Sequence, residues 1–108
     1  MAHYMIQGSY SGETWAALAK NPEDRSAAAR ALAENLGGRI EAFYFCFGDD
    51  DFVTIGEFPD NVTAAAVAIA VSASKAFRHA RTTPLITSQE MMTAAKKAGS
   101  VGYKAPGR

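Results

Sequence analysis

The sequence predicts an α+β domain with the element order β-α-β-β-α-β, and three observations carry that expectation. Helix start and stop signals occur from Asn21-Pro22-Glu23-Asp24 to Gly37-Gly38, and a second start follows at Pro59-Asp60. Between them lie two aromatic-rich runs joined by Gly48-Asp49-Asp50, the pattern of a hairpin. Strand-like runs open and close this stretch, so two strand–helix crossovers flank one hairpin.

His3–Tyr10 mixes aromatic and aliphatic residues without helix formers and reads as the first strand, ended by Ser11-Gly12. Thr14–Lys20 is helical in composition. Asn21 suits the cap of a fresh helix, Pro22 its first position, and Glu23 and Asp24 its positive end. That helix carries Leu32 and Leu36 four residues apart and stops at Gly37-Gly38. Arg39–Phe47 and Asp51–Phe58 read as the second and third strands. Asp60 caps the next helix, whose Val62, Ala66, Ile69 and Ala73 form a stripe expected to face the sheet. Phe77–Ile86 is the last strand. Thr87-Ser88-Gln89-Glu90 has capping-box spacing and introduces a short helix to about Ala98, closed by Gly99. The expected architecture is ferredoxin-like: a four-stranded antiparallel sheet with two helices on one face, plus a short C-terminal helix. Residues 1–108 make one domain, with about 99–108 as a tail.

Composition narrows the function. Hydrophobic residues make up 48% and charged residues 20% of 108 positions, which fits a folded soluble chain. Eleven basic residues balance eleven acidic ones, which argues against nucleic acid as a partner, because phosphates demand a basic surface. The only basic cluster is Lys75, Arg78, His79 and Arg81. Cys46, the single cysteine, forms no intramolecular disulfide and cannot build a zinc site alone. Met1–Ile6 lacks the features of a signal peptide, and Ala64–Ala73 is too short to span a membrane, so the expected location is cytoplasmic. No cofactor motif is present: Gly37-Gly38 ends a helix where a phosphate loop would begin one.

The hairpin strands do not alternate apolar with polar, as a half-solvated strand should. Phe43, Phe45 and Phe47 fall on one face of the second strand, with Ile40, Ala42, Tyr44 and Cys46 on the other. Val53 and Ile55 oppose Phe52, Thr54, Gly56 and Phe58 on the third. Both faces are apolar, more than a monomer ordinarily exposes. The expected partner is the chain itself, as a homodimer or higher homo-oligomer joined through the open sheet face. The alternative is the tail helix folded back over its own sheet.

Several segments resemble the GYD domain family: Leu36-Gly37-Gly38-Arg39, Phe43–Val53, Phe58-Pro59-Asp60, Thr82–Thr87 and Lys96–Tyr103. The family's naming motif, Gly-x-Tyr-Asp, reads Gly48-Asp49-Asp50-Asp51 here, with a carboxylate in place of the phenol. The resemblance implies a ferredoxin-like fold related to the dimeric α+β barrels. That group includes haem-linked enzymes, cofactor-free monooxygenases, isomerases and binding modules, so the resemblance implies a shape before a reaction.

Candidate ligand-binding residues are His79, Arg81, Tyr44, Cys46, Asp51 and Tyr4. His79 and Arg81 are two apart in a strand and share a face, where Arg81 suits an anion and His79 proton transfer; haem held by His79 as a lone ligand is implied by the family relationship alone. Tyr44 and Cys46 are expected beside them, although Cys46 between two phenylalanines reads equally as a small core residue. Asp49, Asp50 and Asp51 have hard-cation chemistry but diverge in a turn, so no metal is expected, and Asp51 is read as pointing inward or capping amides. Tyr4, Tyr10 and Trp15 suit either a pocket wall or the core. The leading expectation is a small-molecule-binding homo-oligomer with an apolar cavity of at least about 300 Å3. The alternatives are a cofactor-free oxygenase or isomerase using His79 and Arg81, and an assembly subunit without a ligand.

Overall fold

A computed structural model describes residues 1–108. Its elements in order are β1 (Ala2–Tyr10), α1 (Gly12–Lys20), α2 (Arg25–Asn35), β2 (Arg39–Phe45), β3 (Phe52–Phe58), α3 (Asn61–Ala73), β4 (Phe77–Leu85) and α4 (Ser88–Gly99). Each helix opens on a short polar side chain. Ser11, Asp24, Asp60 and Thr87 accept hydrogen bonds from the amides of Thr14, Ser26, Thr63 and Glu90, satisfying donors that a helix start leaves free. At α4 the Glu90 side chain also reaches back to the Thr87 amide, completing the capping box. The cap of α2 is Asp24 and not Asn21. Pro22 disfavours helical backbone in the residue before it, so Asn21, at φ −132° and ψ 84°, closes α1 instead.

The strands pair in the order β2-β3-β1-β4, every neighbour antiparallel, which is the ferredoxin-like sheet. One face carries the core: Tyr4, Ile6 and Tyr10 of β1 with Phe52 and Phe58 of β3, covered by Ala33 of α2 and Ala64 and Val67 of α3. Gly38, just before β2, lets α2 end tight against the sheet, since a Cβ there would sit 2.3 Å from the Glu57 carbonyl oxygen. Tyr10 is the aromatic hub, with ring centroids 4.9 Å from Phe77, 5.5 Å from Phe52 and 5.2 Å from Trp15 of α1.

Three local expectations are corrected. The α3 stripe of Val62, Ala66, Ile69 and Ala73 faces outward, with Val62 79% and Ile69 68% exposed. Ala64, Val67 and Val71 pack inward instead. The helix is apolar on all sides, so its pattern does not select a face; at its first residue the Tyr4 hydroxyl donates to Asn61 Oδ1. The second correction is a bulge in β2 between Ile40 and Ala42. The extra residue shifts the alternation, so Ile40 shares the helix-covered face with Phe43 and Phe45, while Ala42 and Tyr44 take the open face. Third, β2 ends at Phe45, because the Cys46 amide donates to the Asp51 carbonyl and closes the turn, leaving Phe47 in solvent.

The C-terminal helix stands away from the rest. Every residue of α4 is exposed, and the chain measures 58 × 34 × 22 Å. Its radius of gyration is 17.5 Å, against about 13 Å for a compact chain of this length.

Two outcomes follow for stability. Lys75, between α3 and β4, holds a left-handed φ of 61° that costs a residue with a Cβ. Replacing it as Lys75→Gly is expected to raise unfolding free energy by about 0.5–1 kcal/mol in urea melts. Hydrogen bonds from Ser26, Thr63 and Thr87 hold the carboxyls of Asp24, Asp60 and Glu90 below the usual carboxylate range. A depressed folded value stabilises fully above the unfolded value, near about 4, and is lost as pH falls through the lower folded values. Circular-dichroism melts on acidification from about pH 6 to about pH 2 should show stability falling in that window.

Candidate functional site

Between the sheet and helices α2 and α3 lies a cavity of about 220 Å3, lined by 17 residues of which 14 are hydrophobic. It arises from residue size. Ala28 and Ala29 of α2 and Ala70 of α3 offer only methyl groups opposite Phe43, Phe52 and Phe77, so helices and sheet meet without filling the space. The volume is smaller than the sequence expectation of about 300 Å3. A dry 150 Å3 cavity in another protein holds benzene, so this one has room for a single substituted ring.

Besides the Tyr10 phenol, three polar or charged side chains line the cavity, and two of these are engaged by backbone carbonyls of the chain. Thr54 donates to the Ala42 carbonyl at 2.8 Å and Ser74 to the Val71 carbonyl at 2.6 Å. The Tyr10 phenol and the Arg25 guanidinium remain. Tyr10 ends β1 and Arg25 begins α2, so both sit at one end of the cavity, where the α2 N-terminus adds its positive dipole. Burial pushes the Tyr10 phenol up, and the Arg25 guanidinium beside it opposes the rise. Arg25 also pairs with Glu23 at 3.0 Å, in an exposed contact that an incoming anion would compete with. The arrangement offers an apolar slot with a cation and a neutral hydroxyl donor at one end.

The residues singled out in the sequence lie elsewhere. His79 and Arg81 are on the open sheet face at its β4 edge, tied to the hairpin turn by Asp50. Asp50 Oδ1 is 3.1 Å from His79 Nε2, and Arg81 donates to Asp50 Oδ2 at 3.0 Å and to Gln7 Oε1 at 3.3 Å. Gly8 permits this close edge: a Cβ there would meet the His79 carbonyl oxygen at 2.5 Å. The Asp50 side chain is only 11% exposed, whereas His79 and Arg81 are half-exposed or more. Thus the acidic residue standing at the motif's tyrosine position fastens the turn to β4.

Tyr44 shares that face but lies on β2, at the opposite edge of the sheet, and is 69% exposed. Cys46 is exposed, its thiol donating to the Asp50 carbonyl at 3.3 Å. Asp51 bonds one backbone amide: its Oδ2 accepts the Tyr10 N–H and the Trp15 indole N–H, both at 3.0 Å. Tyr4 is core, bonded to Asn61 and packed 6.0 Å from Phe58, and does not line the cavity. Of the three aromatics weighed as pocket walls, only Tyr10 lines this cavity, while Trp15 lines a separate groove with Pro22 and Phe45.

Sequence reasoning missed Arg25, whose role depends on α2 crossing above Tyr10. It also missed a cluster of His3, Glu41 and Glu57 on the open face. His3 Nδ1 lies 2.8 Å from Glu41 and Nε2 3.6 Å from Glu57, while Arg39 pairs with the other Glu57 oxygen. Each ring nitrogen faces a different carboxylate, and one donor atom from each of the three residues lies within 4.8 Å of the others.

An antiparallel ferredoxin-like sheet, helix-covered on one face and open on the other, defines the class of this protein. The model of the GYD domain matches residues 4–95, and the chain belongs to that family. No curated protein matches it. No helix is long and apolar enough to cross a membrane.

The two neighbouring aspartates should differ in worth. Asp51→Ala strips partners from an indole and an amide at the core's edge and should cost about 1–3 kcal/mol. Asp50→Ala breaks pairs with exposed partners and should cost under about 1 kcal/mol. Urea denaturation followed by Trp15 fluorescence measures both.

Proposed function

We propose that this protein binds a small aromatic or compact apolar molecule bearing an anionic group, in the cavity beneath α2 and α3, and works as a homo-oligomer. The carrying observation is the cavity itself, 14 of its 17 lining residues hydrophobic, with Arg25 and the Tyr10 phenol left to meet a charged or hydrogen-bonding end. A carboxylate ligand would place its ring among Phe43, Phe52 and Phe77 and displace Glu23 from Arg25. The homo-oligomer is supported by surface area. The chain exposes 7584 Å2, whereas a folded monomer of 11.5 kDa exposes about 5,800 Å2. The surplus of roughly 1,800 Å2 per chain falls in the range that obligate homodimers bury. An exposed free thiol, Cys46, suits the reducing cytoplasm.

A second reading draws on Asp50, which orients His79 beside Arg81 as a base-and-clamp pair for an enzyme of the oxygenase or isomerase kind. That pair lies outside the cavity, on the open face. In that case substrate would bind at the face, and His79→Ala would abolish turnover while Arg25→Gln left it intact.

Benzoate and toluene test the binding reading, observed through NMR shifts of the Phe52 and Phe77 rings. Benzoate should bind, and Arg25→Gln should weaken it by about tenfold or more, the loss of one charge-assisted contact. Toluene binding should be unaffected by that change. Glu23→Gln should tighten benzoate, because it frees Arg25. Ala29→Leu, which fills the cavity, should remove both ligands. Absence of shifts from either ligand would refute the proposal.

A further inference from the structure

Residues 88–108 form an arm. A helix of twelve residues is marginal in water by itself, yet α4 is fully capped and exposed along its whole length. It is also two-sided. Met91, Ala95 and Ala98 repeat at four and three residues with Met92 alongside, while Gln89, Thr93, Lys96 and Lys97 share the other side. Exposed Val101 and Tyr103 follow. Such a row of apolar side chains is made to lie on something.

Its own sheet does not cover it, since every residue of α4 is exposed. Only Ile86 and Thr87 separate β4 from α4, and Thr87 is committed to the capping box, so α4 begins where the sheet ends. Charge points to the occupant. Lys96, Lys97, Lys104 and Arg108 against Glu90 give the arm a net +3. Because eleven basic residues balance eleven acidic ones in the whole chain, residues 1–87 carry −3. The open sheet face holds an apolar centre of Met5, Val53 and Ile55, and at the end from which α4 departs stand Glu41 and Glu57 with their neighbours His3 and Arg39. Each chain therefore has one basic apolar arm and one open face with acids at its rim, the matched pair that a two-fold exchange uses up completely.

We propose that the arm of one protomer crosses to a second copy and lies along its open sheet face. Its Met91–Ala98 row packs on the apolar centre, and its lysines approach Glu41 and Glu57. The exposed surplus of roughly 1,800 Å2 matches such an exchange, since each chain would bury both its own arm and its own face. This rests on the homo-oligomer part of the proposed function and is independent of the ligand.

The test mixes full-length chains grown in 14N and in 15N, equilibrates them, and joins amines to carboxylates with a zero-length carbodiimide. Mass spectrometry of the digest should find Lys96 or Lys97 linked to Glu41 or Glu57, with about half of these links pairing the two isotopes, as random pairing of two equal pools requires. The double variant Met91→Glu, Met92→Glu changes only exposed residues, so its fold should persist by circular dichroism. Its mixed-isotope links should fall by about tenfold or more. Arm links confined to one isotope would overturn the exchange. Mixed links joining body to body, with the arm lysines unlinked, would overturn the exchange and leave the homo-oligomer standing. No mixed link of any kind would overturn both.

Discussion

Tyr10 ties the structure together. It is the last residue of β1, and its ring meets Phe45, Phe52 and Phe77 from the other three strands and Trp15 from α1. Its amide donates to Asp51, whose same oxygen accepts the Trp15 indole, so the hairpin turn, β1 and α1 are fastened at one point. Its phenol lies at the end of the cavity beside Arg25. One side chain thus joins the core, the turn that carries the family motif and the mouth of the candidate binding site. Aromatic contacts of this kind contribute about 0.5–1.5 kcal/mol each beyond their buried area, and here four converge.

The two sheet faces divide the work. On the covered face, alanines on α2 and α3 leave space that larger side chains would have filled, and that space is the candidate ligand site. On the open face the contacts are ionic and peripheral. Asp50 holds His79 and Arg81 at one edge, and Glu41 and Glu57 flank His3 at the other end of β1. Between them lies half-buried apolar surface from Met5, Val53 and Ile55. The candidate ligand site and the surface proposed for self-association therefore lie on opposite faces of the sheet.

What was legible in the sequence was whatever depends on neighbouring residues. Asp60 and the Thr87–Glu90 box act on amides three residues away, so the starts of α3 and α4 follow from spacing alone. The hairpin and the element order follow from turn residues and alternation. Asp24 displaces Asn21 as a cap because Pro22 acts backwards on its neighbour, a local effect that the expectation weighed less than the cap chemistry of Asn21. The α3 orientation was not legible, because an alanine-rich helix looks alike from every side and its inward face is fixed by packing against distant residues of the sheet. The site was hidden further still. His79 and Arg81 do share a face, but the turn that brings Asp50 across to them, and the crossing that sets Arg25 over Tyr10, join residues far apart in the chain.

Native mass spectrometry of protein purified gently from its source tests the central claim most directly, because it reads subunit number and retained ligand in one spectrum. The account predicts a multiple of the 11.5 kDa chain carrying a small organic acid, with the added mass lost in the Arg25→Gln protein. A bare 11.5 kDa species, without partner or adduct, would contradict it.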